Sequence, residues 1–91
     1  MGKRVLITGS ASGIGKSIAK RFAAEGAHLL LADLNEPLLL ETAKELAQGG
    51  RPVQSYRIDV TDIPGVGALR DRINAEGGPI DVLVNNAGLV F

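Results

Sequence analysis

A glycine-rich stretch near the start of the chain, from Thr8 to Gly15, has the composition of an anion-binding turn. Its glycines follow the spacing Gly-x-x-x-Gly-x-Gly, after the apolar run 5–7 and before an amphipathic stretch. We expect Gly9 to permit a tight turn, Gly13 to let a ligand approach the backbone, and Gly15 to let the following helix pack close to the strand. The first N–H groups of a helix lack partners within it and carry partial positive charge, so this stretch predicts a pyrophosphate site. The alternative is a strand-to-helix turn with a structural role only.

A second chemically suited residue is Asp33, which ends the next apolar run, about 18 residues beyond Gly15. In dinucleotide-binding folds, a carboxylate about 20 residues further on accepts hydrogen bonds from the adenosine ribose. A carboxylate also repels a 2′-phosphate, and neither Ala32 nor Leu34 beside it is cationic. We therefore predict NAD, rather than NADP, as the cofactor. The alternative is a solvated acid in a turn. Lys16 is a further candidate, either for a phosphate contact or as an ordinary surface lysine.

The elements that must position these residues are predicted from the hydrophobic pattern. The predicted strands are Arg4–Thr8, His28–Ala32, Pro52–Ile58 and Ile80–Val84, and the predicted helices are Ile14–Glu25, a second from the Asn35 cap to about Ala47, and a third from the Asp62 cap to Gly77. Continuous apolar runs in the first two strands indicate burial on both faces, whereas the alternation in strand three indicates an edge. The βαβαβαβ order predicts an α/β fold, a Rossmann-like half-domain with a parallel sheet in the order 3-2-1-4. Helices one and two should cover one face and helix three the other, with the ligand crevice between strands one and four.

Length and composition limit the alternatives. The 91 residues make one domain, 1–91, and 45% hydrophobic with 22% charged residues indicates a folded chain. Ten acidic and ten basic residues cancel, so we expect neither nucleic acid nor an anionic membrane as a partner. The sequence has no cysteine, which excludes disulfides and thiolate catalysis in this chain. No apolar run is long enough for a signal peptide or a membrane span, so we expect a cytoplasmic protein.

Four features fall at the carboxyl ends of the four predicted strands: the Thr8–Gly15 turn, Asp33, the pair Asp59–Val60, and Asn85-Asn86-Ala87-Gly88. Together they resemble the cofactor-binding half of the short-chain dehydrogenase/reductase family. The resemblance implies that Asp59 and Val60 contact adenine, although a turn aspartate and a core valine are an open alternative. It also implies that 85–88 buttresses the sheet and lines the cofactor ribose, and that Thr8 ties the glycine turn to that segment. The predicted cofactor-binding residues are Gly9, Ser10, Ser12, Gly13, Ile14, Gly15, Asp33, Leu34, Asp59, Val60, Asn86, Ala87 and Gly88.

The catalytic residues of the resembled family have no match in this chain. Hydride transfer there needs a serine and a Tyr-x-x-x-Lys pair, in which the lysine lowers the tyrosine pKa. The single tyrosine is Tyr56, and Val60 stands four positions later. The resemblance therefore implies a truncated NAD-binding domain that is not catalytic alone. Two alternatives stay open: one piece of an NAD-dependent oxidoreductase completed by another chain, and an engineered, autonomously folding scaffold without activity.

The predicted topology leaves apolar surface uncovered. Strand four, with the run Asp81-Val82-Leu83-Val84, should form an exposed edge of the sheet, and the face that carries only helix three should be half bare. Such surfaces invite pairing with a second copy. We therefore expect self-association, as a homodimer or another homo-oligomer that covers these surfaces, through strand four, through the bare sheet face or by exchange of a terminal element.

Overall fold

Four parallel strands and three helices alternate along the chain. A computed structural model describes residues 2–11, 13–59 and 61–86. The elements are β1 (Arg4–Thr8), α1 (Gly13–Ala24), β2 (His28–Asp33), α2 (Glu36–Leu46), β3 (Val53–Arg57), α3 (Ile63–Gly77) and β4 (Val82–Asn85). The strands form one parallel sheet in the order β3-β2-β1-β4. The predicted fold class and strand order are confirmed.

The two central strands are buried on both faces because side chains alternate between two cores. All five residues of β1 are buried. Val5 and Ile7 pack with α1 and α2 on one face, whereas Leu6 packs with Ile73 of α3 on the other. The same alternation places Leu30 of β2 in the α3 core, between two leucines that face α1 and α2. The predicted distribution of the helices over the two faces is therefore confirmed.

Side-chain caps begin α2 and α3 where the sequence predicts them. Asn35 Oδ1 accepts from the N–H of Leu38 at 3.2 Å, and Asp62 Oδ1 accepts from the N–H of Gly65 at 3.2 Å. A Cβ atom on Gly65 would collide with the Asp62 carboxylate. Glycine lowers helix propensity at this position, but it also makes the room that the capping carboxylate needs.

The end of the sheet at β4 differs from the prediction of Ile80–Val84. Ile80 packs in the α3 core, and its N–H donates to Asn74 Oδ1 at 3.1 Å. Regular pairing with β1 begins at Val82, opposite Val5, and continues to Asn85, opposite Thr8. The strand therefore starts later and ends one residue further on. The other element ends lie within one or two residues of the prediction, as is usual for sequence-based boundaries.

A buried arginine joins the start of β1 to the end of α3, which the sequence analysis did not predict. Arg4 Nη2 donates to the carbonyl oxygen of Ile73 at 3.0 Å, and the Arg4 N–H donates to Asp81 Oδ2 at 2.7 Å. A Cβ atom on Gly77 would collide with the guanidinium. The carboxyl end of a helix carries partial negative charge, which favours a cation there. The Arg4 guanidinium therefore adds a hydrogen bond near the carboxyl end of α3 and fixes this helix against the sheet.

Candidate functional site

The glycine turn between β1 and α1 uses its three glycines in different ways. Gly9 has a φ of 65°, in the left-handed region that glycine enters most easily. A Cβ atom on Gly15 would overlap the Gly9 carbonyl oxygen and lie 2.7 Å from the Gly9 carbonyl carbon. Gly15 thus permits close packing of α1 on the turn itself, just past the strand end. A Cβ atom on Gly13 would meet nothing within 4 Å, so this position is open to the outside.

Ser10 anchors the turn to β2. Its side chain is fully buried, and both its N–H and its hydroxyl lie 3.3 Å from the carbonyl oxygen of Ala32. Ser10, which the sequence predicts to bind the cofactor, therefore has a structural partner for its hydroxyl. The direct contact with a cofactor stays a prediction.

Asp33 also contacts the glycine turn. Its Oδ2 accepts from the N–H of Ala11 at 3.0 Å, and its Oδ1 accepts from the N–H of Asn35 at 2.9 Å. The residue is half-buried, whereas the neighbouring Leu34 is 52% exposed and Ile14 at the start of α1 is 69% exposed. A carboxylate, the amino end of a helix and two exposed apolar side chains therefore share the carboxyl edge of the sheet. The spacing of Asp33 predicted its place, but not its bond to Ala11.

The end of β4 is hydrogen-bonded to the same turn. The Thr8 hydroxyl donates to Asn85 Oδ1 at 3.1 Å and lies 3.4 Å from the carbonyl oxygen of Val84. Asn86 Nδ2 donates to the carbonyl oxygen of Gly9 at 3.3 Å. These bonds are the tie that the resemblance implies for Thr8. They join the carboxyl ends of β1 and β4 to the glycine turn.

Asp59 closes a turn after β3. Its Oδ1 accepts from the N–H of Thr61 at 2.9 Å and from the Thr61 hydroxyl at 2.6 Å. These hydrogen bonds, the hydroxyl first, lower the pKa of Asp59, so the exposed carboxylate is ionised at neutral pH. Asp59 therefore stabilises a turn, which was the alternative left open by the sequence. Its contact with adenine stays a prediction. The predicted site residues Ser12, Val60, Ala87 and Gly88 lie outside the described residues.

The side chain of Lys16 forms an ion pair with α2. Its Nζ lies 2.9 Å from Glu45 Oε1, and the Nζ of Lys20 lies 3.4 Å from the other oxygen of the same carboxylate. The hydrogen bond from Lys16 is the largest cause that lowers the pKa of Glu45. In this conformation the Lys16 ammonium bridges α1 and α2, as a surface lysine does.

Tyr56 lies in the core on the α3 face. Its hydroxyl lies 3.2 Å from Glu76 Oε1 and 3.3 Å from Gln54 Oε1, and the Arg72 guanidinium lies 5.4 Å from the ring centroid. Burial, and next the charge of Glu76, raise the pKa of Tyr56 above its ordinary value. A phenol in this setting is a poor general base near neutral pH.

A groove of about 430 Å³ runs between α3 and the neighbouring strands β1 and β4. Its walls are mostly apolar and include Leu6, Leu69 and Leu83, with Arg70 and Asp81 also lining it. Leu83 of the edge strand is 58% exposed. The half-bare face predicted from the sequence is therefore present beside β4.

Residues 2–11, 13–59 and 61–86 bring together no group of three histidine or carboxylate side chains that could hold a metal ion. Within the same part of the chain, no helix combines the length and the apolar character needed to cross a bilayer.

The parallel sheet and the glycine turn after its first strand define a Rossmann-like α/β domain. A family described as short chain dehydrogenase matches residues 3–91. The chain therefore belongs to the short-chain dehydrogenase family. It is 44% identical over 89 residues to a diacetyl reductase [(S)-acetoin forming] of Staphylococcus epidermidis, which covers 98% of this chain.

Solved structures give the same result. An L-sorbose reductase from Gluconobacter frateurii, complexed with NADPH and L-sorbose, matches 96% of the chain with a TM-score of 0.88 and 43% identity. A short chain dehydrogenase/reductase from Burkholderia phymatum, in complex with NAD, matches 90% with a TM-score of 0.84 and 36% identity. The chain spans 35% of the diacetyl reductase, 34% of the sorbose reductase and 29% of the Burkholderia protein. These relatives are about three times longer.

Proposed function

We propose that this chain binds NAD(H) at the glycine turn and does not transfer hydride by itself. The observation that carries the proposal is the position of the Asp33 carboxylate, which lies 3.0 Å from the Ala11 N–H of the turn. Backbone donors for a pyrophosphate and a carboxylate acceptor for ribose hydroxyls therefore lie close together at one edge of the sheet. NAD supplies the hydride chemistry when it is bound, and the chain's own residues orient it.

The described residues fit a dinucleotide. The open space at Gly13 lets a phosphate approach the amino end of α1. Each oxygen of Asp33 has one backbone donor among the described residues, and an ionised carboxylate has about four acceptor positions. Acceptor capacity therefore remains for the two ribose hydroxyls. The related structures include one with NADPH and one with NAD, and we favour NAD here because the negative charge of Asp33 repels a 2′-phosphate.

The proposal that this chain alone is not catalytic is supported by its tyrosine. The family reaction needs a phenol whose pKa is lowered by a nearby lysine, whereas burial and Glu76 raise the pKa of Tyr56. Tyr56 lies on the face of the sheet covered by α3, with its hydroxyl at Glu76. The residue four positions later is Val60, not a lysine.

The test is a calorimetric titration of NAD and NADP into the chain, with Asp33→Ala as the site variant. Asp71→Ala, an exposed aspartate on α3, is the matched control. We expect a Kd for NAD of roughly tens of micromolar to millimolar, at least about tenfold weaker binding to Asp33→Ala, and weaker binding of NADP. Saturable binding that Asp33→Ala leaves unchanged would place the ligand elsewhere. A folded chain that binds no NAD would favour the scaffold alternative.

A second candidate is one piece of an oxidoreductase that another chain completes. It is favoured by the similarity to reductases and a dehydrogenase of which this chain spans about a third. Mixing the chain with the remaining two thirds of such a relative, and following NADH absorbance with diacetyl as substrate, tests it. Turnover that needs both pieces would support this candidate, and inactivity of the mixture would leave NAD binding as the function.

The exposed surface at β4 supports a second copy of this chain as a binding partner. Leu83 is 58% exposed on an edge strand, and the apolar groove lies beside it. Light scattering at high micromolar concentration should give a mass above that of the monomer. Leu83→Ser should lower this mass, whereas Leu38→Ser, a 46% exposed leucine on α2, should not. A monomer mass for the unmodified chain would refute the proposal.

A further inference from the structure

The carboxyl end of β2 holds three neighbouring segments by hydrogen bonds. The carbonyl oxygen of Ala32 accepts from the Ser10 N–H at 3.3 Å, and the carbonyl oxygen of Asp33 accepts from the Ile58 N–H at 3.1 Å. The Asp33 carboxylate adds bonds to the N–H groups of Ala11 and Asn35. The glycine turn, the start of α2 and the segment after β3 therefore all depend on two consecutive residues.

These bonds divide into those that need the Asp33 side chain and those that do not. The Ser10 amide is bonded to backbone and would keep its partner in any Asp33 variant. The Ala11 amide is bonded to Oδ2 at 3.0 Å, and the Asn35 amide to Oδ1 at 2.9 Å. One carboxylate therefore fixes the middle of the turn relative to the residue that caps α2. Hydrogen bonds to a charged acceptor are stronger than those between neutral groups.

We propose that Asp33 is a positioning residue for the glycine turn: its carboxylate holds the Ala11 amide, and thereby the turn, in the ligand-binding conformation before any ligand arrives. This inference rests on the proposed NAD site for its ligand, but it concerns a different role from a ribose contact. A turn that is ordered on folding does not have to be ordered on binding, which strengthens binding of every group that the turn contacts. Asp33 then affects affinity for the pyrophosphate as well as for the ribose.

The two roles differ in what they predict for a ligand without ribose hydroxyls. The probe is an NAD analogue whose adenosine ribose lacks both the 2′- and the 3′-hydroxyl group. If Asp33 only contacts these hydroxyls, Asp33→Ala leaves the affinity for the analogue unchanged. If Asp33 positions the turn, Asp33→Ala weakens binding of the analogue by about fivefold to tenfold and weakens binding of NAD by more. Asp71→Ala, which removes an exposed carboxylate on α3, should change neither affinity.

A measurement without ligand separates this inference from the proposed function. Amide hydrogen exchange followed by NMR reports the Ala11 and Asn35 N–H groups directly. In Asp33→Ala we expect both to exchange at least about fivefold faster, while the Ser10 amide and the amides of β1 keep their protection. The retained protection shows that the variant is folded.

Asp33→Asn gives a graded control. An asparagine keeps the shape of the side chain and one acceptor oxygen, but its NH₂ group cannot accept a hydrogen bond. It should therefore keep one of the two amides, Ala11 or Asn35, protected and release the other. If Asp33→Ala does not fold, this variant carries the exchange test.

The outcomes are distinct. Faster exchange at Ala11 together with weaker binding of the dihydroxyl-free analogue supports the positioning role. Unchanged exchange of the Ala11 amide in a folded Asp33 variant overturns the positioning role, whatever the measured affinity for NAD. If the unmodified chain binds no NAD while Ala11 still depends on Asp33, the turn is positioned as inferred and only the proposed function fails.

Discussion

Replacing Gly15 with alanine tests the packing of α1 on the turn. The added Cβ atom would overlap the Gly9 carbonyl oxygen and lie 3.0 Å from Ser10 Cα. Neither group can rotate away, because both belong to the backbone. The turn is held in place by the bonds from Ser10 to Ala32 and from Asn86 to Gly9. The clash must therefore be relieved by moving α1 or by breaking the turn.

The expected magnitude is the difference between two opposing effects. Overfilling a packed site lowers the free energy of unfolding by about 1–3 kcal/mol. We take about 3 kcal/mol for Gly15, because the added methyl group would contact rigid backbone. In the opposite direction, alanine in place of glycine stabilises a helix by about 1 kcal/mol. We therefore expect Gly15→Ala to lower the free energy of unfolding by about 2 kcal/mol. For a domain of this size that corresponds to a fall in Tm of about 10 °C.

The assay is thermal and urea unfolding followed by circular dichroism, with Gly13→Ala as the matched variant two positions earlier. A Cβ atom on Gly13 meets nothing within 4 Å, and its φ is not positive. The stability of Gly13→Ala should be unchanged or rise by up to about 1 kcal/mol, because alanine favours the helix and its Cβ atom meets no clash. Its NAD affinity should fall, because a methyl group stands where the phosphate approaches. Equal stability of the two variants would refute the packing argument, and unchanged NAD binding by Gly13→Ala would refute the ligand-approach role.

Three further predictions concern the contacts that hold the sheet and its helices. Arg4→Ala should lower the free energy of unfolding by about 2 kcal/mol, because the buried guanidinium and its hydrogen bond to the Ile73 carbonyl are lost; urea unfolding measures this, and exposed Arg51→Ala should change little. Thr8→Val should cost about 1 kcal/mol by removing the hydroxyl bond to Asn85; a stability equal to the unmodified chain would show that this bond contributes nothing. Tyr56 should ionise above its ordinary pKa of 10.0, so its contribution to stability is complete below pH 10 and is lost as pH rises through the higher folded-state pKa. Tyrosinate absorbance measures the midpoint, and Glu76→Gln should lower it only part of the way to 10, because burial is the largest cause; a midpoint at or below 10 in the folded chain would contradict this.

Much of the fold is predictable because its signals are local. The apolar runs around Leu6 and Leu30 indicate strands buried on both faces, and Asn35 with Pro37 indicates where α2 begins. The alternation of strands and helices then leaves few parallel topologies to consider. The start of β4 was harder to predict, because Ile80 is apolar like the strand residues after it. Its N–H is bonded to a helix side chain, which no local pattern reveals.

The contacts that the sequence did not predict join residues far apart in the chain. The Arg4 side chain reaches Ile73, and the Asp33 carboxylate reaches the backbone of Ala11. An arginine at the start of a buried strand does indicate that a partner must exist, since a buried cation needs one. It does not say which carbonyl group that partner is. For Ala11 there is no signal, because every residue except proline supplies the same N–H.

The most direct test of the proposed dinucleotide site is an NMR titration of NAD into the isotope-labelled chain, with every backbone amide observed. The amides of Gly9, Gly13, Gly15 and Leu34 should show the largest shift changes, and all should saturate with one Kd. Changes centred on Leu69 and Leu83 would place the ligand in the groove beside α3. No change at millimolar NAD in the folded chain would contradict the existence of the site.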